Sequence, residues 1–205
     1  MLKGETIYLR LFEPDDFEKT YMWHSDFELQ KSTCGPMRLI SKEIEKNWVI
    51  SKANNNQRDI YLAICSLESD QMIGWISIND IDHRNRKCSC GGIMIGDKKY
   101  QDGMAYLEAS KMMHRYVFEE LNINMLQGAC LEEHVTSISN MEANYYVLEG
   151  VERQAVYKEG KYKNVCHYSL SSEDYFYHMK VGDYADTKLI RRMVIIAKEI
   201  RNKNK

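Results

Sequence analysis

The chain has 205 residues, of which 44% are hydrophobic and 28% charged, and its formal charge is −2. That is enough for one domain of ordinary size with a packed core, and the near-neutral balance gives no reason to expect nucleic acid as a partner. No apolar run has the roughly 20 residues of a membrane span, and the N-terminus MLKGETIYLR lacks a secretory h-region.

Thr6–Phe12 alternates as a strand does. Glu13-Pro14-Asp15-Asp16 opens a helix to about His24, with Pro in the first turn and acids at the positive end. Ser41 caps a second helix whose buried face is Ile44, Trp48 and Val49, and Asn54–Gln57 is a loop. Ile60–Cys65 and Met72–Ile78 form a hairpin turning at Ser69-Asp70. His83–Lys87 is a polar connection to a strand from Cys88 to Ile95, ending at Gly96-Asp97.

A helix follows, with Ala105, Ala109, Met112, Met113, Tyr116, Val117 and Leu121 at helical spacing. Met125–Leu131 is a strand and Thr136–Asn144 a short helix. Tyr145–Glu149 and Lys163–Leu170 are a last strand pair, and a helix resumes from Asp183. The order predicts an α/β (α+β) fold: a mixed, mostly antiparallel central sheet with helices on both faces.

The six cysteines, at 34, 65, 88, 90, 130 and 166, include no CxxC pair, so reduced thiols in a cytoplasmic protein are expected. Cys88 and Cys90 share one face of their strand. Two ligands with no matching pair do not make a zinc site, so no metal is expected.

These elements carry Leu9-Arg10, Pro14-x-Asp16, Tyr21-x-Trp23 before Asp26, Ile73-Gly-Trp75 and Ile93-Met-Ile-Gly96. Glu108-Ala109, Tyr116–Leu121, Ser137 and Leu148-Glu-Gly150 before Arg153 follow. In this order and spacing the chain resembles the GNAT superfamily of acyl-CoA-dependent N-acetyltransferases from about Thr6 to Leu170, in particular the branch that acetylates ribosomal-protein N-termini and includes small-amine acetylases. The resemblance implies a GNAT-like domain over residues 1–178 and a helical extension over 179–205.

It also implies that acetyl-CoA, as co-substrate, lies between the strands Cys88–Ile95 and Met125–Leu131. Ile93, Met94 and Ile95 would meet the pantetheine arm, and the pyrophosphate would sit on the turn Gln101-Asp102-Gly103-Met104-Ala105-Tyr106. Such a turn needs converging backbone N–H groups at a helix N-terminus, where small residues permit close approach. Gln101 fits the family pattern. Met104 and Tyr106 stand at its two small positions, and Asp102 adds a negative charge that Lys98 and Lys99 would offset. His134-Val-Thr-Ser137 replaces the usual Asn-x-x-Ser, and Tyr145-Tyr146 the usual Gly-Phe. The resemblance therefore implies transfer of an acetyl group to a primary amine of a small molecule or a protein N-terminus. A GNAT-fold binding or regulatory protein with a degraded CoA site is the alternative.

Amide formation needs deprotonation of the amine, stabilisation of the thioester oxygen and protonation of the leaving thiolate. Ser137 matches the family serine near the thioester, and His134, also counted with the cofactor residues, titrates near neutrality and is the proton shuttle. The oxyanion donor is expected among the backbone N–H groups of Ile93–Ile95. Candidates for the base are Asp80, Asp82, His83, Asp97 and Glu133. Trp23 and Trp75, with Asp80 and His83, are expected beside the acceptor.

Past the matched region, Leu189, Ile190, Met193, Val194, Ala197 and Ile200 share one face of a basic amphipathic helix. Such a helix packs on its own domain, on a second subunit as in a homodimer, on a partner or on a membrane surface.

Overall fold

The structure is a computed structural model that describes residues 1–54 and 56–203. Asn55 of the expected loop, and Asn204 and Lys205 of the expected basic helix, lie outside the described residues. The chain divides into two compact units. The first is Met1–Gln30 with Met37–Ile123; the second is Lys31–Pro36 with the chain from Asn124 onward.

The first unit runs through β1 (Leu2–Lys3), β2 (Ile7–Leu11), α1 (Phe17–His24), α2 (Phe27–Lys31), α3 (Lys42–Ala53), β3 (Ile60–Ser66), β4 (Met72–Asp82), β5 (Lys87–Ile95) and α4 (Met104–Arg115). Its five strands pair in chain order, each antiparallel to the next. The expected start at Glu13 is a 3-10 turn over Pro14–Asp16. Asp16 holds it by accepting two hydrogen bonds of 2.8 Å from the Arg10 guanidinium. Ser41 caps α3 by accepting from the Ile44 N–H at 3.2 Å.

Ile44 itself is 59% exposed, against the expectation that it shares the buried face with Val49. Within α3 the buried positions are Glu45 and Val49, four residues apart, and Ile44 lies beside that stripe. Phe12, Trp23, Val49, Tyr61, Ala63, Cys65, Met72 and Met94 form one core layer, and Trp48 and Trp75 pack against it.

Two bulges shape β4 and β5. Ile64 pairs with Gly74 but Cys65 with Met72, and Ser77 pairs with Gly92 but Ile78 with Cys90. The extra residue in the second case is Gly91, and such an insertion bends the strand and leaves a ladder position unpaired. Along α4 and the turn after it, Ala105, Ala109, Met113 and Val117 are buried as expected, whereas Met112, Tyr116 and Leu121 are only half-buried. A π-helical turn over Tyr116–Glu120 follows α4 and shifts the helical register there.

The second unit contains β6 (Met125–Leu131), α5 (Val135–Ala143), β7 (Val147–Lys158), β8 (Lys161–Ser171), α6 (Ser172–Lys180) and α7 (Asp186–Lys203). β8 pairs antiparallel with both β6 and β7. The strand expected at Tyr145–Glu149 starts later and runs to Lys158. Much of it is exposed, so it shows no clean apolar alternation. Its turn is Glu159-Gly160, both at positive φ (50° and 77°), as a two-residue hairpin loop requires.

Neither α2 nor α6 was expected. α7 packs on α5. Arg192 donates to the Glu142 carbonyl at 3.1 Å and lies 4.2 Å from the Tyr145 ring centre. Tyr184 donates to the Asn144 carbonyl at 3.1 Å. Of the expected apolar face Leu189 is fully buried, while Val194 points outward at 45% exposure. No described helix is long and apolar enough to cross a membrane, and all six cysteines are free.

Two predictions follow from packing. Gly96 sits where an added Cβ would lie 2.1 Å from the Trp23 ring, so Gly96→Ala should cost about 1–3 kcal/mol in urea unfolding. Burial pushes His114 in α4 down to about 3. Between that value and the ordinary value of about 6.5 the unfolded chain binds the extra proton, so this contribution to stability is present at neutral pH and lost as pH falls. His114→Leu should therefore gain stability relative to the parent by about 1.4 kcal/mol for each pH unit below about 6. Paired urea curves at pH 7.5 and 5 would measure it.

Candidate acetyl-transfer site

Strand alternation aims Trp75, Ser77 and Asn79 of β4 at the same face. Register places Ala63 beside Trp75 and Tyr61 beside Ser77 on β3, and Met94 and Gly92 opposite them on β5. Above this face, Trp48 of α3 lies 5.4 Å from the Tyr61 ring centre and 6.4 Å from that of Trp75. His24, the last residue of α1, is 5.2 Å from Trp48 and 6.0 Å from Trp75, ring centre to ring centre.

His24 Nδ1 lies 2.9 Å from Oε1 of Glu45, a carboxylate buried in α3. A carboxylate only accepts, so Nδ1 carries the hydrogen, and Nε2 keeps its lone pair while the ring is neutral. A carboxylate-oriented imidazole has the parts of a general base. Sequence reading missed this pair, because two helices meet to make it across 21 positions of chain.

The expected acceptor residues scatter. Trp23 is a core residue, 6% exposed and packed beside Gly96. Asp80 is an exposed partner of Arg58 at 3.0 Å, and His83 is exposed on the turn before β5. Of the other candidate bases, Asp82 is held below the usual carboxylate range by hydrogen bonds from Asn85. Asp97 accepts from the Lys99 N–H at 3.0 Å, and Glu133 is bound by Lys163. Only Trp75 stands at the aromatic face, half-buried.

The cofactor candidates of the first unit do come together. Gln101 Nε2 donates to the Ile95 carbonyl at 2.9 Å and ties the turn to β5. On that strand Met94 is buried, and Ile93 and Ile95 are half-buried. Gly103 takes φ 95° as the residue that opens α4, followed by exposed Met104, buried Ala105 and half-buried Tyr106. Asp102 Oδ1 accepts from the Met104 N–H at 2.9 Å, so this acid already occupies a donor that an anion would use. Lys99, expected to offset it, pairs with Glu68 at 3.3 Å, while Lys98 is exposed. A left-handed glycine opening a twelve-residue helix and an exposed lysine fit a pyrophosphate, with Asp102 opposing.

In the second unit Ser137 Oγ lies 2.7 Å from His134 Nδ1, as the sequence led one to expect of these neighbours. Burial lowers the His134 pKa, so the ring is neutral at pH 7. Cys88 and Cys90 on β5 are raised by burial to about 12 and about 11, so both are thiols at neutral pH.

Residues 6–144 match the acetyltransferase (GNAT) domain. The chain belongs to the GNAT acetyltransferases. By family it is an acyltransferase. It is 25% identical over 175 residues to the uncharacterized N-acetyltransferase p20 of Bacillus licheniformis, covering 85% of this chain and 97% of that protein. Its fold matches that of a Vibrio cholerae spermidine N-acetyltransferase solved with CoA and spermine (TM-score 0.76, 16% identity), over 84% of this chain and 99% of that one. It also matches a Bacillus anthracis GNAT-family acetyltransferase (TM-score 0.72, 19% identity), over 84% and 98%.

Asp102→Asn keeps the cap and removes the charge. It should tighten acetyl-CoA binding by up to about fivefold, the size of a charge effect at a helix terminus. Titration calorimetry on the variant and its parent would measure this.

Proposed function

We propose that the chain transfers an acetyl group from acetyl-CoA to a primary amine, on a small molecule or, as in the ribosomal-protein branch, at a protein N-terminus. The observation that carries this reading is the 2.7 Å contact between Ser137 and a histidine kept neutral by burial. A neutral imidazole gives a proton at one nitrogen while taking one at the other. Ser137 hands its hydroxyl proton to the leaving sulfur, His134 Nδ1–H replaces it, and His134 Nε2 takes a proton from water.

His24, oriented by Glu45, removes the proton that the amine must lose. Backbone N–H groups of Ile93–Ile95 polarise the thioester carbonyl, and Gln101–Tyr106 holds the pyrophosphate. The Vibrio cholerae protein of the same fold was solved with spermine, which supports a small amine as the acceptor class here. Free thiols suit a cytoplasmic setting, and a homodimer through α7 remains part of the proposal.

Ser137→Ala should lower kcat about a hundredfold with little change in the KM for acetyl-CoA, the usual weight of one proton-transfer group. His24→Gln should do the same. An assay of thiol release with a primary amine tests both, and full activity in both variants would overturn these roles.

A further inference from the structure

α6 is a firmly held helix with an apolar outer face. On its inner side Tyr175 is buried, His178 Nδ1 lies 2.9 Å from the Asp183 carboxylate, and the His178 ring stacks on Tyr145 with centres 3.4 Å apart. Ser171 caps its start by accepting from the Asp174 N–H at 3.0 Å. Outward it presents Phe176 at 48% exposure and Tyr177 at 60%, with Met179 and then Val181 exposed beside them. Large apolar side chains exposed this close together form a patch, and such patches mark contacts with other molecules.

Positions i, i+3, i+4 and i+7 share one helical face, so Glu173, Phe176, Tyr177 and Lys180 form a single stripe, and all four are exposed. Among the described residues neither Glu173 nor Lys180 is in an ion pair. The stripe complements itself. When two copies of α6 lie antiparallel about a two-fold axis between positions 176 and 177, Phe176 meets the partner's Tyr177 and Glu173 meets the partner's Lys180. An isologous contact makes each of these pairs twice. Aromatic residues at the centre and charges at the rim are the ordinary build of a protein interface.

α7 has the same spacing with the wrong charges. Its exposed stripe is Arg191, Val194, Ile195 and Lys198, and the same axis would set Arg191 against the partner's Lys198. Like charges juxtaposed in this way repel, so a self-contact suits α6 rather than α7. An anionic lipid surface does not suit α6, because Glu173 and Asp174 stand in its first turn against Lys180 in its last.

We propose that α6 is the two-fold contact of this chain's homodimer, with Phe176 and Tyr177 at its centre and Glu173 and Lys180 at its rim. This rests on the homodimer reading and moves its contact from α7 to α6.

Sedimentation velocity on the full chain over a concentration series tests it. The parent should dimerise weakly, since one nine-residue helix from each copy makes an interface at the small end of the range. Lys180→Glu sets acid against acid and should raise the dimer Kd about tenfold. Glu173→Lys combined with Lys180→Glu restores the pairs in reverse and should bring the Kd back to within about threefold of the parent. Phe176→Ala with Tyr177→Ala, which leaves every charge in place, should weaken the dimer about tenfold or more. These side chains face solvent, so an unchanged Tm should accompany each result.

A dimer that Val194→Glu breaks and Lys180→Glu does not would overturn the α6 contact and leave the homodimer reading standing. Equal weakening by the single and the double charge variants would overturn the pairing. A parent that stays monomeric at every concentration would overturn both the contact and the reading it rests on.

Discussion

The carboxylate of Glu108 fixes where α4 begins. It accepts hydrogen bonds from the backbone N–H groups of Glu5 and Thr6 and from the Thr6 hydroxyl, so one helical side chain satisfies the start of β2. An added Cβ on Gly4 would lie 2.1 Å from that carboxylate, which is why the residue there has no side chain. Glu108 lies one turn past Gly103, so the same contact anchors the turn assigned to the pyrophosphate. Gln101 ties that turn to Ile95 from the other side. Charge-assisted bonds of this kind are about twice as strong as neutral ones, and here they set geometry.

Several charges elsewhere in the first unit are held in pairs. Arg10 holds Asp16, Lys52 holds Asp59, Arg58 holds Asp80 and Lys99 holds Glu68. Against that background the His24–Glu45 contact stands apart, because burial with a partner that only orients costs stability. Proteins tolerate such costs where a proton is to be handled. Asp102 is the counter-example. It satisfies α4 at the expense of the anion the turn would hold, which is a choice for local stability over cofactor affinity.

Much of this was legible in the sequence. Gly103 at a strand-to-helix junction marked the turn proposed to hold the cofactor, and the i,i+3 spacing of His134 and Ser137 brought two polar groups together on one short helix start. The alternation of Trp75, Ser77 and Asn79 was equally visible, but a polar residue on a strand declares nothing until its partners are known. His24–Glu45 is a tertiary contact between two helices and leaves no local signal. A motif placed Trp23 near the acceptor; the absence of a side chain at Gly96 lets its ring sit in the core layer against which Trp48 and Trp75 pack. β7 escaped because an exposed strand carries few apolar residues to alternate.

The account stands or falls on whether the turn at Gln101–Tyr106 seats the cofactor despite Asp102. The direct measurement is calorimetric titration of the full chain with acetyl-CoA, beside S-acetylpantetheine, which lacks the pyrophosphate. The account predicts micromolar binding of acetyl-CoA and much weaker binding of the shorter thioester. No heat with acetyl-CoA at millimolar concentration, or equal affinity for the two, would contradict it.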